Sequence, residues 1–549
     1  MKKLLDLLFF FGKKKFGKKE KMSIEQRKEI LTCNSQLIDR EILKEKANKK
    51  NSLYRAIKKL ERREIKEYNR DILKNKDIDY KNLLSDEQKR ALTAIEGKYL
   101  VIAGAGSGKT RTIVYRTALL LELGIKEENI LMITFTRKAA AEMKERLIDI
   151  LKRSVTKLEI STFHSFCGRN IMNYKNYFNI EKLELLDEKI KNDVIDDLSK
   201  KFHIKRIKGI PFPSVIRMIE LLNDEKIKKI PIENLITDKE KAYFDEIITV
   251  KEAFFSYKKE NKILEFDDLL EIFINGLERN ENFKKLIQNK YKYVIVDEYQ
   301  DSNMDQRRLL MNLVGDKGNL MVVGDDYQSI YGFRGGNVEN ILRFSEDFSD
   351  GYLIKLETNY RSTDEIVSYC NNIANMFEMS YNKDIKGTGK KLHKPEILSF
   401  KSKEKEAEFI IKKINELYLN GIKMNEIAIL YRNKFLVSHI LKKLKDDNIP
   451  YFIKDIKNGL DNSVSEELDD KIAMFSVHSS KGLEWDYVFI PVLLDGVFPS
   501  SIGKGQMEEE KRLYYVGCSR AKKGLYLTYP EYFYDKIGFF TEKSRFLLY

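Results

Sequence analysis

The stretch Tyr99-Leu-Val-Ile-Ala-Gly-Ala-Gly-Ser-Gly-Lys-Thr110 decides the fold. Its apolar first half predicts a short parallel strand covered on both faces. The loop that follows, Ala103, Gly104, Ala105, Gly106, Ser107 and Gly108, can turn backbone N–H groups inward around phosphates. A helix opening at Lys109 then points its positive end at the same anion. In this pattern Lys109 reaches the β- and γ-phosphates, and the Thr110 hydroxyl completes a Mg²⁺ shell. Ala103 stands where the strict pattern has Gly, a tolerated change because the tight approach depends on the later glycines. Far downstream, Tyr293-Val-Ile-Val-Asp-Glu298 ends a second such run in two carboxylates. Asp297 is expected to hold Mg²⁺ and Glu298 to polarise an attacking water. An acidic pair that merely caps a helix is the competing reading, and the phosphate loop disfavours it. Together the two motifs predict a nucleoside triphosphatase.

Around these motifs the pattern alternates strand and helix. Strands are expected at Tyr99–Ala103, Ile130–Thr134, Tyr293–Val296 and Leu320–Val323. A second series is expected at Tyr352–Glu357, Ile427–Tyr431, Ala473–Val477, Tyr487–Val492 and Leu525–Tyr529. Between about 168 and 260 amphipathic, charged helical segments replace this rhythm, punctuated by Pro211 and Pro213. Residues 1–80 are Lys/Glu-rich with Ile57, Leu60, Ile65 and Tyr68 at helical spacing, predicting a basic helical extension. The expected layout is an α/β chain of two tandem lobes with parallel sheets. It runs as extension 1–80, first lobe 81–167, helical insertion 168–260, first lobe resumed 261–351, and second lobe 352–549 with a short loop near 452–470.

Among 549 residues, Lys and Arg outnumber Asp and Glu by 100 to 85. The net charge of +15 favours a polyanionic partner, although an AT-biased genome also enriches lysine. Cys33, Cys167, Cys370 and Cys518 are widely spaced, which fits neither a disulfide framework nor a zinc site and suits a reducing cytoplasm. The apolar run Leu4–Phe11 is broken by Asp6 and is too short for a transmembrane segment. A helix packed on its own protein, an interfacial membrane contact and a partner-docking helix remain as its readings.

From Leu84 to Leu527 the chain resembles the UvrD/Rep-type superfamily 1A DNA helicases, with the motifs in family order. These are Leu84-Ser-Asp-Glu-Gln-Lys-Arg-Ala91, the phosphate loop, Thr134-Phe-Thr-Arg-Lys-Ala-Ala-Ala-Glu-Met143 and Ser161-Thr-Phe-His-Ser-Phe166. Phe266-Asp-Asp-Leu-Leu270, Val296-Asp-Glu-Tyr-Gln-Asp301 and Val323-Gly-Asp-Asp-Tyr-Gln-Ser-Ile-Tyr-Gly-Phe-Arg-Gly335 follow. Glu357-Thr-Asn-Tyr-Arg-Ser362, His478-Ser-Ser-Lys-Gly-Leu-Glu484 and Glu510-Lys-Arg-Leu-Tyr-Tyr-Val-Gly-Cys-Ser-Arg520 complete the series. The resemblance implies RecA-like lobes, ATP with Mg²⁺, and single-stranded DNA and duplex–single-strand junctions as partners; partner proteins stay unknown. It assigns Gln88 and Tyr360 to adenine, Glu484 to the sugar side and Arg111 to the phosphates. Gln328 becomes the γ-phosphate sensor, and Arg361 and Arg520 the far-lobe cations that steady the transition state. For the DNA track it implies Thr134, Arg137, Phe163, His164, Tyr331, Phe333, Arg334 and His478, aromatic faces stacking on bases while basic groups follow phosphates.

Phe333 replaces the family's commoner Trp, and Arg137 stands where many members carry Asn. Only about twenty residues separate Pro450-Tyr-Phe from Asp470-Lys-Ile-Ala-Met-Phe, where many members insert a large helical domain. That departure and the basic extension resemble the helicase IV branch. The resemblance therefore implies a 3′–5′ DNA helicase of repair or recombination. Its rivals are a translocase that strips proteins from single strands with little unwinding and, from another class, a non-enzymatic DNA-binding scaffold. RNA is separated from DNA only by the resemblance. His203, His393 and His439 lie outside the motifs and are read as structural or solvated.

Overall fold

The computed structural model describes residues 47–178, 180, 184–201, 244–332, 338–453, 470–500, 507–535 and 538–547. The chain divides into two compact units, Met1–Ala56 and Ile57–Tyr549. Residues 47–56 of the first are helical. The expected readings of Leu4–Phe11, Cys33, Pro211, Pro213, His203 and most of the 452–470 loop fall outside the described residues, as do those of Phe333 and Arg334.

In the second unit, six all-parallel strands form the first sheet in the order β3-β2-β6-β7-β1-β8. They are β1 (Lys98–Ala103), β2 (Ile130–Thr134), β3 (Glu159–Thr162), β6 (Tyr293–Val296), β7 (Asn319–Gly324) and β8 (Tyr352–Leu356). Between β3 and β6, the two-residue strands β4 (Glu184–Leu185) and β5 (Ile263–Leu264) pair with each other. Every residue of β1, β2 and β6 is buried, which is why these strands read as unbroken apolar runs.

A second six-stranded parallel sheet has the order β11-β12-β10-β13-β14-β9. Its strands are β9 (Glu396–Phe400), β10 (Ile427–Tyr431), β11 (Tyr451–Ile453), β12 (Ile472–Ser476), β13 (Trp485–Ile490) and β14 (Ala521–Pro530). Two tandem RecA-like α/β lobes are thus present, as expected. No helix among the described residues is long and apolar enough to cross a membrane.

Two expectations are corrected. Tyr352–Glu357, read as the opening strand of the second lobe, forms β8 and pairs with β1 at the edge of the first sheet. The helical reading of the extension ends at residue 61, short of Ile65 and Tyr68. There the backbone runs along β8 instead, with Ile65 N–H donating to the Leu353 carbonyl at 2.8 Å and Leu353 N–H to Arg63 at 3.2 Å. Covering an exposed strand edge satisfies its hydrogen bonds, a stronger demand than helical spacing.

The segment after helix Asp364–Ala374 turns back onto the first lobe before β9 begins. Lys386 N–H donates to Glu357, and Asn359 N–H to Lys386. Between these contacts, Lys383 Nζ meets Asp325 Oδ1 at 2.5 Å and Asp326 Oδ1 at 2.7 Å, all three side chains fully buried. The ammonium also lies 3.3 Å from the Tyr327 ring centre. Burial alone would raise the Asp325 carboxyl, but Lys383 and Lys109 outweigh it and hold it below the usual range. Removing one partner of such a cluster strands the other charges without compensation. Lys383→Met should therefore cost about 3–5 kcal/mol, read as a lowered urea midpoint, whereas a loss under about 1 kcal/mol would contradict this role.

Candidate functional site

Parallel strands deliver their chemistry at the carboxyl ends, and the first sheet does so four times over. The phosphate loop follows β1, Asp297 follows β6, Asp325 follows β7, and Asn359-Tyr360-Arg361 lies just beyond β8. Gly106 and Gly108 have φ of +70° and +79°, left-handed values that favour glycine. A Cβ on Gly106 would sit 2.7 Å from Arg361 Cβ and 2.8 Å from Asn359 Oδ1. The loop is therefore pressed against the Asn359–Arg361 segment, and Tyr360 N–H donates to the Gly106 carbonyl at 3.0 Å. The Tyr360 side chain is exposed beside the loop. Helix Lys109–Glu122 starts directly after Gly108, aiming its unpaired N–H groups at the loop.

Gln88 lies on the same side. Its Nε2 donates to the Ser107 carbonyl at 3.3 Å, while its Oε1 accepts the Ser85 N–H in a capping box. Glu87 ties this segment to the end of β8 by accepting the Glu357 and Thr358 N–H groups. Arg111, expected at the phosphates, instead donates to the Leu83 carbonyl at 3.0 Å and lies over the Tyr115 ring. It braces the strap that carries Gln88.

The Thr110 hydroxyl donates to Asp297 Oδ2 at 3.2 Å. A hydroxyl and a carboxylate side by side at a helix N-terminus are hard oxygen donors that suit Mg²⁺, with phosphates completing the shell. Asp297 is buried, and the adjacent Glu298 is half-buried. Burial and the neighbouring Glu298 charge raise the Asp297 carboxyl. Burial pushes Glu298 in the same direction, but Lys109 and Lys481 outweigh it and hold Glu298 below the ordinary range. Glu298 has φ of +53°, and Gln300 Nε2 donates to its carboxylate.

The second lobe supplies the facing cations. Arg520 is buried, and its Nη2 donates to Gln328 Oε1 at 3.0 Å. Gln328 Nε2 in turn donates to Asp325 Oδ2 at 2.6 Å. Burial first, then the Arg361 charge, lowers Arg520 to about 9. Arg361 Nε pairs with Glu484, and its Nη1 donates to the Ser519 carbonyl at 3.2 Å. Glu484 also meets Lys522 at 3.3 Å. Lys481, within the motif His478–Glu484 but without an expected role, extends into the first lobe. It donates to Asp301 and, at 2.8 Å, to the Gln328 carbonyl. No spacing rule marks it, because both partners are remote in sequence.

The expected DNA-side residues divide. Thr134 is buried at the end of β2, and Arg137 is exposed at the start of helix Arg137–Leu151. His164 Nε2 lies 3.1 Å from Asp267, its ring edge-on to the exposed Phe266. His478 begins a single 3-10 turn. Phe163 is corrected: it is 3% exposed, because it opens helix Phe163–Asn173 on the inward face, and it presents no face for a base. Phe135, which carries no expected role, stacks on Tyr331 with ring centres 5.8 Å apart and an 8° tilt. Of the histidines outside the motifs, His393 is exposed, and His439 is buried 3.5 Å from Glu406.

This arrangement has known counterparts. Residues 84–349 match the UvrD/REP helicase N-terminal domain, and residues 354–458 and 453–532 match the UvrD-like helicase C-terminal domain. The chain is similar to the ATP-dependent DNA helicase PcrA of Staphylococcus aureus strain Mu50, 34% identical over 434 residues. That alignment covers 77% of this chain and 58% of the relative. The protein of the same name from Staphylococcus epidermidis strain RP62A is 33% identical over 427 residues, with the same coverage. The chain thus spans a little over half the length of these relatives. With both domain models matched in order along most of its length, the chain belongs to the UvrD/Rep family of superfamily 1 helicases.

Proposed function

We propose that the protein is an ATP-dependent DNA helicase that moves 3′ to 5′ along single-stranded DNA, acting in the cytoplasm in repair or recombination. The observation that carries this reading is Arg520 of the second lobe meeting Gln328 of the first, beside the Asp297–Glu298 strand end. A cation that reaches the phosphate site only from the far lobe ties hydrolysis to the distance between lobes. Cycles of opening and closing then become steps along a strand. Polarity and pathway are supported by the family pattern alone.

In this mechanism the loop N–H groups and Lys109 hold the β- and γ-phosphates, and Gln88 and Tyr360 take the adenine. Glu298, kept ionised by Lys109 and Lys481, orients the attacking water and accepts its proton. Thr110 and Asp297 would hold Mg²⁺, which neutralises phosphate charge when bound. Arg361 and Arg520 face the charge that develops on the transferred phosphoryl group. Tyr331 and Phe135 offer stacking faces on the DNA side, while Arg137 and His478 contact the strand.

A second reading, translocation with little unwinding, is favoured by the short interval between Ile453 of β11 and Ile472 of β12. Strand displacement separates the two. A helicase displaces 3′-tailed duplexes and leaves 5′-tailed and blunt ones intact; a translocase hydrolyses ATP on single strands and displaces none. ATP turnover unaffected by DNA would overturn both.

Glu298→Gln should keep ATP affinity while DNA-stimulated kcat falls by about 10²–10⁴-fold, the usual contribution of a general base. Wild-type turnover in that variant would remove Glu298 from the role. Single-strand affinity should fall linearly in a log–log plot against salt, with a slope of about 0.7 per phosphate contact. A flat plot would contradict a phosphate-gripping track.

A further inference from the structure

Lys481 makes contacts across the lobes that the hydrolysis mechanism above leaves unexplained. It follows the 3-10 turn His478–Ser480 of the second lobe, yet its partners belong to the first. Its side chain is 7% exposed. The ammonium pairs with Asp301 Oδ2, donates to the Gln328 carbonyl at 2.8 Å and lies 3.8 Å from Glu298 Oε2. On its other side it sits 5.0 Å from the centre of the Tyr331 ring. One cation thus touches the acid beside the general base, the backbone of the γ-phosphate sensor and an aromatic of the DNA side.

Asp301 depends on that contact. It is buried, its Oδ1 makes no hydrogen bond, and its other oxygen is shared between Lys481 and a 3.4 Å contact from Gln300. The Gln300 amide donates to both Glu298 and Asp301, so one NH2 group ties the two acids together. Without a cation here, Asp301 would lose its charged partner beside Asp297 and Glu298. Burial works against the Lys481 charge, but Asp301 and Glu298 outweigh it and keep the ammonium protonated.

We propose that Lys481 is a positioning residue for Glu298: the second lobe's cation, seated between Tyr331 and Asp301, fixes the placement of the general base when the lobes close over a single strand. This rests on the hydrolysis reading given above. Lys109 stays with the phosphate loop in every lobe arrangement, whereas Lys481 leaves with the second lobe. Tyr331 shares the ammonium's pocket and stacks on Phe135, so a base placed there bears directly on the Lys481 seat. In this role Lys481 acts through Asp301 and Glu298.

The test uses the whole chain, ATP and an oligo(dT) strand, with Lys481→Met and Lys481→Arg compared. Lys481→Met should lower oligo(dT)-stimulated kcat at least about tenfold, while the KM for ATP and the oligo(dT) affinity stay within about threefold. Lys481→Arg, which keeps the charge, should recover most of that loss. In an Asp301→Asn background the methionine substitution should cost less than it does alone, because the acid it neutralises is gone. If Lys481→Met unfolds, Lys481→Gln carries the same comparison. A stimulated kcat within about twofold of wild type overturns the proposal. Losses of ATP or oligo(dT) affinity in step with kcat also overturn it, because they place Lys481 in ligand binding or lobe docking. A wild-type enzyme that oligo(dT) fails to stimulate overturns the helicase reading itself.

Discussion

Four buried carboxylates, Asp297, Asp301, Asp325 and Asp326, and the half-buried Glu298 crowd the carboxyl ends of β6 and β7, and the rest of the structure answers that concentration of charge. Ionised groups removed from water persist only when cations and hydrogen bonds replace their hydration. The first lobe provides Lys109. Lys383, Lys481 and Arg520 arrive from chain that lies beyond β8. The same cations that offset the burial of these acids also bind the two lobes into one site.

Two kinds of cation do this. Lys383 is sealed, with no exposed side-chain surface, and its acids are equally inaccessible. That suits a permanent fastening between the returning segment and the Asp325–Asp326 turn. Arg520 and Lys481 instead meet Gln328 and Asp301, residues beside the proposed phosphate site. Their contacts join groups on opposite lobes, so they are the ones a moving cleft can make and break. Stability and mechanism thus draw on one type of interaction placed at different depths.

Local physics was legible in the sequence. The phosphate loop and the Val296-Asp-Glu298 strand end are contiguous patterns whose geometry follows from glycine conformations and strand alternation. Arg361 and Arg520 were found only because an ordered series of motifs vouched for them. What depends on remote partners was missed or misread. Tyr352–Glu357 has an ordinary strand composition, and nothing local says which of two sheets it joins. Ile65 and Tyr68 hold helical spacing, but the helix ends at residue 61 and the β8 edge claims the backbone at Arg63–Ile65. Phe163 opens a helix, and whether that position faces solvent or core depends on how the helix packs. Lys383 and Lys481 are two lysines among many, and only folding brings their acids to them.

The central claim is that the second lobe completes the hydrolysis site, and a comparison of ground-state and transition-state ligands tests it most directly. Affinity of Arg520→Ala for ADP, and for ADP with aluminium fluoride, should be measured in the presence of Mg²⁺ and oligo(dT). If the far-lobe arginine acts on the developing phosphoryl charge, ADP affinity stays near wild type. The extra affinity given by aluminium fluoride then falls by about 10³-fold or more, the scale of an arginine finger. Wild-type affinity for both ligands, or an equal loss of both, would contradict a transition-state site built across the lobes.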